Sequence, residues 1–459
     1  MTIWQSRNIP RSNRRSGGRE ARRSVRSAPL AEELRPVRAG MTGGTFRPLD
    51  AAAVDAIEDA VYQILEEIGL SQAPESGVAY LTKVGAIAGD DGRTRFPRPV
   101  VSKMLAQAAR NIKLHAQNPK HDLLLSGSRV HFGTAGAAVH VVDVQNNAYR
   151  ESHLADIYDA ARIVENMDNI HFFQRPMVAR DIEDPAALDL NTLYAAIKGT
   201  TKHVGVSFTE APFMPPCISM LHDIAGDEDK WRERPFVSNS NCFVVPPLRF
   251  ATESCLVMEE AVKAGMPVLL LSAGQAGATA PASIAGAVAQ ALSEVVAGLI
   301  YVNAMVPGHP CIVGTWPFVS DLRTGAMSGG SGEQGLLTSA CAQMLRHFDL
   351  PGGAASGMAD SKMPDAQSGY EKGSTAVLAG LAGLNMVYEA AGMHASLLGF
   401  CLESLIIDND MLGQCMRCVR GIEVNEKTLG IDVMKDCLLY TSDAADDSLR
   451  VDLGGRRII

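Results

Sequence analysis

The feature that most constrains this 459-residue chain is an alternation that begins after Gly127 and repeats eight times. Short β-rich runs lie at 138–144, 171–178, 203–208, 236–242, 267–272, 311–316, 352–358 and 394–400. A longer helical pattern follows each, at 152–166, 185–199, 213–224, 249–264, 281–304, 332–348, 368–391 and 409–421. Strands that alternate with helices imply parallel pairing through crossovers, and eight units is the count of a closed barrel. An open doubly wound sheet usually has about five or six strands and a Gly-rich first turn. No such turn follows the first strand, and Gly330-Ser-Gly-Glu-Gln-Gly335 lies after the sixth, where the glycine spacing reads as chance. The expected fold class is α/β, a (β/α)8 TIM barrel with an N-terminal helical extension.

The barrel is expected over 137–433 and the extension over 41–136. Within the extension, Asp50 caps a helix whose apolar positions Val54, Ile57, Val61, Ile64, Leu65 and Ile68 keep a 3–4 spacing up to Gly69. Two shorter helices are expected near 76–84 and 97–110. Residues 1–40 form a basic arm with ten Arg against three Glu, net +7, so the other 419 residues carry −16 of the total −9. The arm lacks an apolar core and reads as a solvated segment rather than a secretory signal. At the other end, 434–459 shows no amphipathic period, which suggests a junction near Lys435 and a missing native C-terminus.

Composition narrows the class. Hydrophobic residues make up 46% and charged residues 20%, too apolar for wholesale disorder. The overall acidic balance argues against a nucleic-acid binder. The longest apolar stretches, 289–307 and 394–407, are broken by Glu294 and Glu403, so no membrane span is expected. Nine scattered cysteines without a framework read as reduced thiols in a cytoplasmic protein. Cys415 and Cys418 form a lone C-x-x-C without a second pair, and no H-x-x-x-H occurs, so no metal site is expected.

A barrel places chemistry at the C-terminal strand ends. Those ends offer Phe208, Glu210, Asn241, Gln275, Trp316, Phe318, Met358 and Asp360. The Gly-rich stretch Gly325-Ala-Met-Ser-Gly-Gly-Ser-Gly332 reads as a loop over the mouth whose backbone N–H groups can hold an anion. The densest polar stretch follows the seventh strand, with Asp360, Lys362, Asp365, Gln367, Tyr370 and Glu371 inside twelve residues. That density exceeds what a turn requires. A lyase or hydrolase using Lys362 or Asp360 is one alternative, and a truncated chain that only binds ligand or partner is another.

Several of these segments resemble one family. Gly133-Thr-Ala-Gly-Ala-Ala, Gln174-Arg-Pro, Pro246-Pro-Leu-Arg-Phe-Ala-Thr, Ala278-Thr-Ala-Pro281 and, above all, Asp360-Ser-Lys with Asp365-Ala-Gln-Ser-Gly-Tyr-Glu-Lys372 look like the trimethylamine:corrinoid methyltransferase (MttB-like) family, over about 35–433. The resemblance implies a TIM barrel that moves a methyl group from an amine to the cobalt of a separate corrinoid protein. Cobalamin would then come from the partner, with no cofactor bound directly, and a homo-oligomer is expected. Archaeal trimethylamine enzymes carry pyrrolysine in the barrel, and the matching position falls in 356–360, with Met358 as its candidate. Only standard residues occur here, which points to the non-pyrrolysine branch and to quaternary amines such as betaines.

Aromatic faces hold such a cation, each contributing about 0.5–2 kcal/mol. The resemblance therefore singles out Asp360, Glu371 and Tyr370 as catalytic candidates. Trp316, Phe318, Phe208, Glu210, Asn241, Gln275 and Met358 become candidates for substrate binding.

Overall fold

The computed structural model describes residues 35–439, with side chains to residue 435. The basic arm before residue 35 and the tail beyond 439 lie outside the described residues. Eight parallel strands form the barrel. They are β1 (Arg129–Phe132), β2 (Phe173–Gln174), β3 (Val204–Val206), β4 (Val237–Asn241), β5 (Val268–Ser272), β6 (Cys311–Thr315), β7 (Gly352–Ala355) and β8 (Met386–Tyr388). Each pairs with the next, β8 returns to β1 through Met386 opposite His131, and a bridge from Gly133 to Phe172 closes the ring. The barrel helices are α1 (Leu154–Glu165), α2 (Pro185–Gly199), α3 (Met214–Ala225), α4 (Thr252–Lys263), α5 (Ile284–Met305), α6 (Gly332–His347), α7 (Ala366–Ala382) and α8 (Leu402–Arg420).

Two strands depart from the sequence reading. The run 138–144 is not the first barrel strand, and 394–400 is not the eighth. Instead His140–Asp143 pairs with Ala148–Glu151, and Gly399–Phe400 pairs with both His140–Val141 and Met393–His394, making a separate four-stranded sheet. The true eighth strand lies inside the expected 368–391 helix. Gly383 ends α7 in a left-handed conformation, φ 78°, and Met386-Val-Tyr then enters the barrel. A residue with positive φ at this position is the usual way a helix stops. The first strand, at 129–132, correspondingly lies upstream of residue 137, where the sequence reading began the barrel.

The strands read as continuous apolar runs because both faces are covered. All five residues of β5 and of β6 are buried. Helix α5 carries this further and is buried without interruption from Ala287 to Asn303. It packs against β5 and β6 on one side and, on the other, against Ala51–Gln63, Glu75–Lys83 and Arg98–Gln107 of the extension. It is long and apolar enough to cross a membrane, yet most of its apolar window is buried inside the protein. Its acidic residue Glu294 accepts hydrogen bonds from Leu248 N, Gln290 Nε2 and the Ser272 hydroxyl. A second buried carboxylate, Glu259, takes the Ser76 and Tyr301 hydroxyls at 2.6 Å each and ties the extension to α4 and α5. In the last segment, Ile431–Leu439 is helical, so the expected atypical tail starts within an ordered element.

Candidate active site at the barrel mouth

Small residues line the barrel where rings enter it. A Cβ on Gly133 would meet the Phe172 ring at 2.4 Å, and one on Gly353 would meet the Tyr388 ring at 2.5 Å. The rings that fill this room form a column. Phe172 and Tyr388 meet edge-on with centroids 5.1 Å apart, and Tyr388 and Trp316 lie 5.3 Å apart. Burial raises the Tyr388 phenol well above its ordinary range, so it stays protonated.

Directly after Tyr388 comes Glu389, a residue the sequence reading did not select. Its side chain is fully buried, and neither carboxylate oxygen has a hydrogen-bond partner. Burial alone holds its pKa well above the ordinary carboxylate value. Its backbone is left-handed, φ 60°, as are Ala395, Ser396 and Leu397 in the same loop. Non-glycine residues in this region cost free energy and concentrate at functional sites. Other buried polar atoms without partners include Asn239 Oδ1 and Nδ2, Asn241 Oδ1, Thr315 Oγ1 and Trp316 Nε1. They come from β4, β6 and the residue after β6, and buried polar groups are ordinarily satisfied. Unsatisfied groups on β4 and β6, the strands on either side of β5, mark a place for ligand or water.

Of the sequence-selected residues, Trp316 and Asn241 belong to this set. Asn241 donates to Ser254 O at 2.9 Å through Nδ2, leaving Oδ1 free. Met358 is fully buried beneath the Gly-rich loop, where a Cβ on Gly329 would lie 2.1 Å from its sulfur. Phe208 and Phe318 are buried in the connections after β3 and β6. Gln275 accepts the Ser320 hydroxyl at 2.9 Å within a small sheet of Gln275–Ala276, Phe318–Ser320 and Met327–Ser328. Glu210 is exposed at the start of a short 3₁₀ turn.

The polar block after β7 turns out to build the roof of the mouth. Asp360 Oδ1 accepts from Gly329 N at 2.7 Å and from the Ser396 hydroxyl at 2.6 Å, while Oδ2 accepts the Ser328 hydroxyl at 2.6 Å. One carboxylate thus joins the loops after β6, β7 and β8. Glu371 accepts from the backbone N–H of Asp360 at 2.8 Å and of Ser361 at 3.2 Å, and from Gln367 at 2.7 Å. Asp365 and Ser368 form a reciprocal cap on α7. Lys372 is buried and donates to Asp408 Oδ2 at 2.7 Å and towards His394 Nε2 at 3.3 Å. Tyr370 is 66% exposed, in contrast to the buried rings of the column. Lys362 is exposed, its ammonium donating to Asp360 O at 2.8 Å, which is not the buried setting of a Schiff-base lysine.

The family follows from comparison. The trimethylamine methyltransferase (MTTB) family model matches residues 15–439. The chain belongs to the trimethylamine methyltransferase family. It is 30% identical over 383 residues to trimethylamine methyltransferase MttB of Desulfitobacterium hafniense, covering 83% of this chain and 76% of that one. It is 29% identical over 384 residues to the glycine betaine methyltransferase of the same species, strain Y51, covering 83% and 79%. Among solved structures, the monomethylamine methyltransferase MtmB of Methanosarcina barkeri shares the fold, with TM-score 0.56 at 12% identity over 88% of this chain and 81% of that one. The chain is therefore a methyltransferase of the trimethylamine methyltransferase family built on a TIM barrel. Among the described residues, no group of three or more His, Cys, Asp or Glu side chains is placed to hold a metal. Cys415 is buried and Cys418 is exposed, both as free thiols.

Proposed function

We propose that this chain transfers a methyl group from a betaine-like quaternary amine to the cobalt of a separate corrinoid protein, in the cytoplasm. The observation that carries the reading is Glu389, a buried and unpartnered carboxyl in the residue that follows Tyr388 of the aromatic column. An isolated buried carboxylate is costly, so this group stays protonated until a cation arrives. A quaternary ammonium offers charge without a hydrogen-bond donor. A carboxyl without fixed donors, in the residue that follows Tyr388, whose ring lies 5.3 Å from that of Trp316, suits that chemistry. Met358 supports the same reading, since the candidate pyrrolysine position holds an ordinary apolar side chain. The similarity to a glycine betaine methyltransferase is consistent with it.

A quaternary ammonium is already a methyl donor with a neutral amine as leaving group, so it needs no covalent activation. Phe172, Tyr388 and Trp316 pack ring against ring inside the barrel, and a corrinoid held by the partner protein would supply the cobalt that accepts the methyl group. The residues of this chain then bind, orient and exclude water. Trp316, Asn241 and Glu389 are assigned to the cation pocket, and Asp360 and Glu371 to fastening its roof. Self-association belongs to the same reading, with Ile406 and Ile407 exposed on α8.

The test is methyl transfer to reduced cobalamin, followed by absorbance, with glycine betaine, proline betaine, carnitine, choline and trimethylamine. Turnover of at least one quaternary amine is expected. Turnover of trimethylamine alone would overturn the substrate class.

A further inference from the structure

We propose that Arg175 is the carboxylate anchor of this site, so that Arg175 and Glu389 form the two ends of a pocket matched to a zwitterion. The inference rests on the methyltransferase reading above and adds a specificity-determining residue to it. Arg175 immediately follows β2 and is half-buried. Its Nε is buried without a partner, and Nη1 reaches only Met177 O, at 3.3 Å. Among the described residues it makes no ion pair. The acidic group with most influence on it, Asp189, is engaged by the Thr209 N–H at 2.8 Å and its hydroxyl at 2.9 Å. A guanidinium presents a planar fork of donors suited to a carboxylate, and it is costly to bury without one.

Cys242, immediately after β4, connects the two ends. The Arg175 guanidinium favours ionisation of its thiol and the Glu389 carboxyl opposes it, so both charges act on this position. It has an exposed surface, yet desolvation raises its pKa. Cys242 is thus a solvent-accessible thiol at the C-terminal end of β4, between the ends of the barrel strands that carry Arg175 and Glu389. Arg175, Cys242 and Glu389 follow β2, β4 and β8, so a ligand spanning the mouth would pass over the thiol. A simple cation would use the Glu389 end alone. A betaine would use both.

The experiment is alkylation of Cys242 in the full-length protein by iodoacetamide, read by peptide mass spectrometry. The exposed Cys418 serves as the internal reference. Glycine betaine is expected to slow Cys242 alkylation at least about tenfold and leave Cys418 unchanged. Choline and tetramethylammonium, which lack the carboxylate, should need at least about tenfold higher concentration for equal protection. In Arg175→Met, betaine should lose its advantage over choline, and Arg175→Lys should restore part of it. Equal protection by betaine and choline in the wild-type protein overturns the role of Arg175 while leaving the cation site standing. No protection by any quaternary amine overturns both. The wild-type comparison decides even where the Arg175 variants fail to fold.

Discussion

The Ser396 hydroxyl donates to Asp360 Oδ1 at 2.6 Å, fastening the loop after β8 to the loop after β7. Gly329 N and the Ser328 hydroxyl bring the loop after β6 to the same carboxylate. Hydrogen bonds to a charged acceptor contribute about 1.5–3 kcal/mol each, net of the bonds to water they replace. Asp360→Ala is therefore expected to loosen the roof more than the barrel. Turnover at saturating substrate should fall about tenfold or more, with a modest loss of Tm. An unchanged kcat in a folded variant would show that the three-loop junction is not needed for closure.

The carboxyl of Glu389 makes ligand binding depend on pH. Its folded-state pKa lies above the ordinary value, so its contribution to stability is fully present below about pH 4.3 and is lost as pH rises through the folded-state pKa. A bound cation favours the ionised form and offsets that loss. The thermal shift given by a quaternary amine should thus grow from about pH 6 to about pH 8.5. In Glu389→Gln it should be smaller and nearly flat. The same slope in both proteins would remove Glu389 from the cation site.

The Trp316 ring lies 5.3 Å from Tyr388 and is 6% exposed. Replacing it with Leu keeps apolar volume but removes one aromatic face, worth about 0.5–2 kcal/mol to a cation. KM for the quaternary amine should rise about two- to thirtyfold with kcat less affected. Equal loss in kcat at unchanged KM would place the ring in the reaction step instead.

The buried pair of Lys372 and Asp408, at 2.7 Å, holds α7 to α8 and takes the Gly392 N–H as well. Removing one partner leaves an uncompensated buried charge, at a cost of about 3–5 kcal/mol. Lys372→Met alone should destabilise strongly in a urea titration, and Lys372→Met with Asp408→Leu should recover part of the loss. His394 Nε2 lies 2.7 Å from the Ser404 hydroxyl and 3.3 Å from the Lys372 ammonium, and burial, with that ammonium, pushes its pKa down to about 3. It is therefore neutral across the working range, and its protonation should not contribute to the pH–rate profile.

The alternation that signals a barrel was legible because six strands keep apolar runs between capped helices. The end strands were not. Residues 138–144 carry four valines and outscore Arg129-Val-His-Phe on composition, yet they pair into a hairpin at the mouth. Only tertiary closure against β8 makes the shorter run a barrel strand. The eighth was hidden behind a helical pattern, although Gly383 before Leu-Asn-Met-Val-Tyr was a usable stop signal. The site divided along the same line. Trp316 and Asn241 were visible as unusual residues at strand ends. The polar block from Asp360 to Lys372 was visible as dense, but its density reflects loop fastening and helix capping, which local spacing does not separate from chemistry. Glu389 was missed because its isolation is set by what surrounds it in space.

Helix α5 has no side made for water, since the barrel takes one face and the extension helices the other. The boundary near residue 129 is therefore a change of topology and not a seam. A gene cut there would produce a barrel displaying a bare apolar rod of membrane-spanning length. Such a product would be drawn to bilayers, chaperones or its own copies before its active site could be assayed. Any exchange of parts among relatives has to carry the extension and the barrel as one inheritance.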